Sequence, residues 1–319
     1  LVPACAAAGI AAFTGDGTNH KVMEGAAAAI TACGGAGIPT VKPWDNATVA
    51  RKIALARSSG CFAMAMDIDA AGLPFLQHLD PPAGSKTVEQ LKEIALAAGV
   101  PFILKGIMTV KGAEKAIEAG AAGIVVSNHG GRVLDDCPAT QEVLADIVAA
   151  VDGRAKILVD GGIRTGSDVF KALALGAPYV KAVCMSRSFM IPAFLGCNIE
   201  GALHPERRER VHGAWSALPK TVLDIGDTPE TIFAGYHALK ERLGADEMAH
   251  IPYGAIAMWT MCDRLGAGLQ HHMAGARKFG VEHIDRTDIC AANRETAQET
   301  GIPFITEQDD ELARRIVLG

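Results

Sequence analysis

The sequence predicts an α/β fold: a (β/α)₈ TIM barrel whose first strand is missing from the chain, with a mostly helical C-terminal extension. Three observations predict it. Short apolar runs alternate with alanine-rich helical stretches from residue 8 to about residue 190. The runs are continuously apolar, as parallel strands buried on both faces must be. No Gly-x-Gly-x-x-Gly opens the first unit, which disfavours the alternative, an open doubly wound sheet.

The elements follow in order. GIAAFT (9–14) is the first strand and ends at Thr14-Gly15-Asp16; IPTVK (38–42) ends on Lys42 and CFAMAMD (61–67) on Asp67. VPFILK (100–105) ends on Lys105 and leads to the helical AEKAIEAGA (113–121). GIVVSN (123–128) runs into His129 and is followed by the helix TQEVLADIVAAV (140–151). KILVDG (156–161) precedes the helix GSDVFKALALGA (166–177), with Ser167 expected as N-cap and Gly176 as its close. YVKAVCM (179–185) is the last strand, with Ser186 and Arg187 just beyond it. Seven strands are one short of a barrel. The eighth is expected before residue 1, in keeping with a chain that begins on Leu: either residues were removed or this is a piece of a longer chain.

The predicted division is a barrel over 1–195 and a helical extension over 196–319. NIEGALHPERRERVHGAWSALPKTVLD (198–224) is polar and loop-rich, then helical. DEMAHIPYGAIAMWTMCDRLGAGLQHHMAGARKFG (246–280) reads as a helix or helix pair rich in small residues. TDICAANRETAQETGIPFITEQDDELARRIVLG (287–319) adds a capped helix, an extended piece and a terminal helix.

Composition bounds the function. The 319 residues are 49% hydrophobic, enough for one large core. A net charge of −6 argues against general affinity for nucleic acid or anionic membrane. No apolar stretch reaches spanning length, since GAAAAITACGGAG (25–37) is alanine-rich and broken by glycine. No secretory signal opens the sequence. Eight cysteines form no Cys-x-x-Cys and no zinc or iron–sulfur spacing, so they are expected as reduced thiols of a cytoplasmic protein, and no metal is predicted.

Barrel chemistry sits where strands end at their carboxyl side, and here those ends are polar or charged almost without exception. In LVDGGIRTG (158–166), Asp160 ends a strand and Gly161 and Gly162 let backbone N–H groups approach a ligand. Arg164 can reach the same ligand, and the next helix points its positive end there, near Ser167. MSRS (185–188) adds a second small-residue turn with Ser186 and Arg187. Together they suggest a phosphate cradle; two tight turns with surface arginines are the alternative. Lys105 is costly to bury alone. It could face an electron-rich ring edge, form a Schiff base, or make a structural ion pair with Asp67 or Asp160. In VVSNHGGRVLD (125–135), His129 is a candidate for proton transfer and Arg132 for bidentate carboxylate binding, with Asp135 steadying either. A satisfied structural histidine is the competing reading.

ILKGIMT (103–109), VVSNHGGRVLD and LVDGGIRTGSDVFKALALGA (158–177) closely resemble the FMN-dependent α-hydroxy-acid oxidase/dehydrogenase family, which includes glycolate and lactate oxidases. The resemblance covers 100–190 well and 8–75 loosely. It implies an FMN-binding barrel that oxidises a small 2-hydroxy acid to a 2-oxo acid. Lys105 would lie near flavin N1 and O2, His129 would take the hydroxyl or α proton, Arg132 would bind the substrate carboxylate and Asp160 would orient the histidine. Gly162, Arg164, Ser186 and Arg187 would form the phosphate site. Gly161, Thr14, Asp67 and Ser127 would complete the cofactor set, and Lys42 would face the substrate. The implied partners are a small carboxylate and either O₂ or an electron carrier, with self-association into a homo-oligomer.

Four departures stand out against the family pattern. The first strand lacks a tyrosine. TVKPW puts Lys42 and Trp44 where the family has a glutamine–tyrosine pair. DIDAAGLPF offers no second substrate arginine, and the last turn is Ser-Arg rather than Gly-Arg. GLQHHMAGARKFG and IDRTDICAANRETAQETGIPF are similar to the tail of the FMN domain in glutamate-synthase-like proteins, without their iron–sulfur cysteines. The alternatives are therefore a glutamate-synthase-like flavin subunit passing electrons within a complex, a redox-neutral flavin isomerase of the isopentenyl-diphosphate type, and a flavin-binding scaffold without activity.

Overall fold

The computed structural model describes all residues except 81, 211–214, 309–313, 315, 316 and 319. Seven parallel strands lie side by side in chain order: β1 (Ala12–Thr14), β2 (Gly37–Val41), β3 (Met64–Asp67), β4 (Phe102–Ile107), β5 (Gly123–Val126), β6 (Lys156–Val159) and β7 (Val180–Val183). β1 and β7 are not paired with each other among the described residues, so the sheet is a partly open barrel. Each strand falls on a predicted run, and the polar residues that close several runs lie just past the last ladder pair.

Helices separate the strands. α1 (Val2–Ala8) precedes β1, and α2 (His20–Ala32) and α3 (Asn46–Ser58) follow β1 and β2. α4 (Pro74–Gln77) and α5 (Val88–Ala98) join β3 to β4, while α6 (Val110–Glu118), α7 (Thr140–Val151) and α8 (Gly166–Leu175) make the next three crossovers. Side-chain caps fix several starts: Asn19 on α2, Asp45 on α3, Thr87 on α5 and Thr109 on α6. α8 is capped by Thr165 rather than Ser167. Thr165 Oγ1 accepts from Asp168 N at 3.2 Å, and Asp168 Oδ2 accepts from Thr165 N at 2.9 Å. This reciprocal box starts the helix two residues early and leaves Ser167 inside it. Gly176 closes α8 as expected.

The strand pleat sorts residues between two cores. Ile38, Ala65, Ile103 and Val125, with Phe13, Leu158 and Cys184 against them, fill the interior of the barrel. Ala12, Val41, Met64, Met66, Leu104, Ile124, Val126, Ile157 and Val159 face the helices in the larger core. Two residues further along each strand, the interior face carries Thr40, Asp67, Lys105, Ser127 and Asp160. The polar ends therefore converge at one mouth because the side-chain period is two. Thr14 shares the face of Ala12, opposite Phe13, so β1 does not aim it at that mouth.

α9 (Arg187–Leu203) follows β7. Beyond it come α10 (Lys220–Leu223), α11 (Pro229–Ile232), α12 (Tyr236–Leu243), α13 (Ala245–Met248), α14 (Tyr253–Gly275) and α15 (Arg294–Thr300). The division at 195/196 falls inside α9. α14 packs along both α8 and α9, and glycines set how closely. A Cβ on Gly166 would lie 2.2 Å from Leu269 N, and one on Gly196 would lie 2.5 Å from Tyr253 O. The capped helix and extended piece are present as α15 and a parallel bridge from Ala291 to Phe304. The expected terminal helix lies mostly outside the described residues. Among the described residues no helix is long and apolar enough to cross a membrane.

Candidate functional site

β3 and β4 hold Asp67 opposite Lys105 in the ladder. Lys105 Nζ lies 3.1 Å from Asp67 Oδ1 and 3.9 Å from Asp160 Oδ2, and Lys42 Nζ lies 3.7 Å from Asp67 Oδ2. Both ion pairs read as alternatives for Lys105 are thus present. Burial opposes ionisation of Asp67, but Lys105, His129 and Lys42 outweigh it and hold the carboxyl below its ordinary range. Burial likewise works against charge on Lys105, and Asp67, Asp69 and Asp160 override it to raise its pKa. At Asp160 burial prevails over Lys105 and Ser127, and the carboxyl is pushed up.

His129 opens the loop after β5. His129, Gly130 and Gly131 have φ of 57°, 70° and 75°. Two glycines adopt this left-handed path freely; a histidine there is strained and needs the surroundings to hold it. Asn128 does so, its Oδ1 accepting from Gly130 N at 3.0 Å and Gly131 N at 3.2 Å. The turn leaves the His129 side chain only 10% exposed. Its Nδ1 lies 3.1 Å from Asp69 Oδ1 and 3.5 Å from Asp67 Oδ1, and its Nε2 meets the Arg132 guanidinium. A guanidinium only donates, so Nε2 accepts there and Nδ1 carries the proton toward the carboxylates.

Two expected partners of His129 are replaced. Asp160 does not orient it: its Oδ2 takes the Ser127 hydroxyl at 2.7 Å and its Oδ1 is buried without a hydrogen bond. Asp135 is exposed, and its Oδ1 accepts from Asp136 N at 3.1 Å. The carboxylate found against the ring is Asp69, from the turn Ile68–Gly72 after β3. The signal was present as two acids spaced i, i+2 at a strand end, but the contact spans sixty positions. It also depends on a bulge in β4 at Gly106, whose φ is 102° and whose missing Cβ would sit 2.5 Å from Asp69 Cγ. Asp67, Asp69 and His129 present ligand atoms within 4.8 Å of one another, a grouping a cation could fill, but Lys105 and Lys42 already supply positive charge to it.

The two turns read as a cradle lie together. Gly161 and Gly162 have φ of 98° and 75°, and a Cβ on Gly162 would meet nothing within 4 Å. Ser188 Oγ donates to Ile163 O at 2.7 Å, tying the second turn to the first. Gly162, Arg164, Ser186 and Arg187 are exposed around this opening. Arg187 also reaches the histidine loop, its Nη2 lying 2.9 Å from the position a Cβ on Gly130 would take. Asp168 accepts from Arg164 N at 3.0 Å and fills the end of α8, so the open donors are Gly161, Gly162 and the arginines rather than the helix terminus.

On the opposite side, buried Asp16 accepts from Trp44 Nε1 at 2.7 Å and Lys42 N at 3.1 Å, and pairs with Lys52. Trp44 is therefore a wall around Asp16, whereas Lys42 sends its amino group into the site. Thr14 Oγ1 is buried without a hydrogen-bond partner. A cavity of about 540 Å³ between β4, α5 and α6 backs onto the site through Ile68 and Gly106.

Residues 75–201 match the FMN-dependent dehydrogenase family. The chain is 50% identical over 123 residues to a peroxisomal (S)-2-hydroxy-acid oxidase of Oryza sativa subsp. japonica, covering 39% of this chain and 31% of that protein. It is 50% identical over 113 residues to an L-lactate oxidase of Lactobacillus jensenii, covering 35% and 26%. The matched stretch thus spans about a third or less of the length of these curated relatives. A solved mandelate oxidase holding (S)-2-phenylpropionate is similar with a TM-score of 0.50 at 33% identity, over 59% of each chain. A second mandelate oxidase structure reaches a TM-score of 0.58 over 88% of this chain and 69% of its own, at 24% identity, a likeness of fold.

Proposed function

We infer, from the match of residues 75–201 to the FMN-dependent dehydrogenase family, that this chain binds FMN and oxidises a small 2-hydroxy acid to a 2-oxo acid. The observation that carries the reading is the meeting of His129 Nε2 with Arg132. A proton acceptor and an anion binder share one point at the mouth of the barrel, as removal of a proton beside a carboxylate requires.

The residues present fit the cofactor. The unpartnered Asp160 Oδ1 is a buried acceptor for a hydroxyl, and Lys105 is a fixed cation in the barrel mouth. Gly161, Gly162, Arg164, Ser186 and Arg187 surround an opening suited to a phosphate. Ser127 and Asp67 hold Asp160 and Lys105 in place. FMN, when bound, supplies the acceptor for the substrate's two electrons. The chain supplies the rest. Arg132 swings from the imidazole to pair with the substrate carboxylate. His129 Nε2 then faces the freed position and takes the proton. Lys42 presents a second cation on the side where no arginine follows Asp67. Lys105 offsets negative charge developing at the mouth.

O₂ as final acceptor is favoured by relatives named as oxidases; an electron carrier is the other possibility. The same reading places the chain in the cytoplasm, where its thiols stay reduced, with copies associating. The deciding experiment is an anaerobic visible spectrum with lactate, glycolate and larger 2-hydroxy acids. Bleaching of the flavin band by one of them supports the reading. A flavin spectrum that none bleaches favours a subunit reduced by a partner protein, and residues 202–319, beyond the matched segment, are where such a subunit would differ.

A further inference from the structure

We propose that the cavity between β4, α5 and α6 is a binding site for a small amphiphile, a short apolar chain ending in one anionic group. The cavity lies on the helix side of the sheet, where Leu104 and Ile107 belong to the core between strands and helices. It meets the barrel mouth only through the backs of Ile68 and Gly106, so its occupant is not the substrate. Its volume of about 540 Å³ falls within the roughly 300–1,000 Å³ of small-molecule sites.

The floor is apolar and the rim is cationic. Leu104 and Ile107 are almost fully buried, and Leu91 and Ala116 close the sides. An apolar chain seated there removes this surface from water. The more exposed lining residues are Lys86, Thr87, Thr109 and Lys115, and no aspartate or glutamate is among the lining residues. Lys86 Nζ donates to the neutral Asn46 Oδ1 at 3.3 Å, and burial pulls its pKa down against the attraction of Asp45. Lys115 forms no ion pair among the described residues. α5 and α6 both begin beside the cavity, capped by Thr87 and Thr109, and their positive ends add to the field of the lysines. An uncharged ligand would leave that field unmet and a cationic one would be repelled by it. Ile68 stands between Asp67 and Asp69 in the chain and Gly106 follows Lys105, so the occupant touches the backbone that carries the charged mouth without entering it.

The test is calorimetric titration of the purified protein with octanoate, octyl phosphate, 1-octanol and octylamine. The two anions are expected to bind at one site, at least about tenfold more tightly than the alcohol or the amine, and the tighter of the two names the head group. Lys115→Gln should melt with the wild type, because the side chain is exposed. It should weaken the anions by roughly three- to tenfold and leave 1-octanol unchanged. Methionine methyl signals in ¹³C-labelled protein report the location, assigned with Met108→Leu and Met190→Leu. Met108 lines the cavity and should shift with octanoate; Met190, on an exposed apolar face of α9, should not. Equal affinity for alcohol and carboxylate overturns the proposal, as does a shift at Met190 with Met108 unmoved. Octanoate affinity in Lys115→Gln within about twofold of wild type, or no saturable heat from either anion up to about 5 mM, overturns it as well.

Discussion

Lys105 and Asp67 stand opposite each other on adjacent strands, amino group to carboxylate at 3.1 Å, with Asp160 3.9 Å from the same amino group. One cation thus serves two acids inside the barrel mouth. Lys105→Met should remove the cation beside Asp160 and leave Asp67 only the more distant Lys42, lowering stability by roughly 1.5–3 kcal/mol, the value of a hydrogen bond to a charged group. Urea unfolding of the flavin-free protein measures this, and an unchanged midpoint would show that the acids find other partners.

His129→Ala should keep FMN, because no cradle residue depends on the imidazole. Flavin bleaching by hydroxy acids should fall by several orders of magnitude, since general-base removal alone is worth about 10²–10⁴-fold. Stopped-flow bleaching reads this directly; near-normal rates would remove His129 from the chemistry.

Arg164→Ala should weaken FMN retention without disturbing the fold, because the side chain is exposed and α8 is capped by Thr165 and Asp168. Gly162→Val should do more, placing a branched side chain in the opening on a backbone at φ 75°. Flavin-to-protein ratio after gel filtration is the measurement. Full retention in both variants would refute the cradle.

The charged mouth also sets a pH window. The depressed carboxyl of Asp67 contributes stability above its unfolded pKa of about 3.9, and this is lost as pH falls from there through the folded value. The raised pKa of Lys105 contributes stability below about 10.4 that is lost as pH rises through the folded value. Asp160 runs the other way. Burial raises its pKa, so ionising it costs the folded state stability as pH climbs from about 3.9. Denaturation midpoints between pH 3 and 11 should show a plateau falling at both ends, and Asp160→Asn should gain on the wild type between pH 4 and 7. Parallel profiles for the two proteins would contradict the sign assigned to Asp160.

Gly166→Ala should drive α8 away from α14, since the added carbon would sit 2.2 Å from Leu269 N. Overpacking of this kind costs about 1–3 kcal/mol. Because α8 directly follows the Arg164 turn, flavin retention should fall together with the melting temperature. A stable variant that binds flavin normally would mean that α14 can yield.

The strand ends were readable because the needed information is local: an apolar run that stops on Asp67, Lys105, Ser127 or Asp160 declares both its core and its mouth. The pairing of Lys105 with Asp67 and Asp160 could be anticipated, because a lysine ending a buried strand demands acids at neighbouring strand ends. Asp69 could not, because its contact with His129 requires the bulge at Gly106, and one-dimensional spacing does not reveal a bulge. The cap of α8 was misplaced by two residues because RTGSD offers two hydroxyls, and only the reach of Asp168 back to Thr165 chooses between them. Asp16 was visible as a polar strand end, but its burial against Lys52 and Trp44 follows from α3 packing over β2, which no local pattern states.

The contact of Gly166 with Leu269 orders events in time as well as in space. A nascent chain that has delivered the glycine turn and α8 still lacks the helix against which α8 must seat. Until α14 has left the ribosome, the face at Gly166 is bare backbone and the turn before it has nothing to brace against. Such distant closure is slow compared with the local turns that precede it. On the reading proposed above, a polypeptide cut short before α14 would carry the histidine loop but lack the helix that braces the glycine turn, and it should retain flavin poorly.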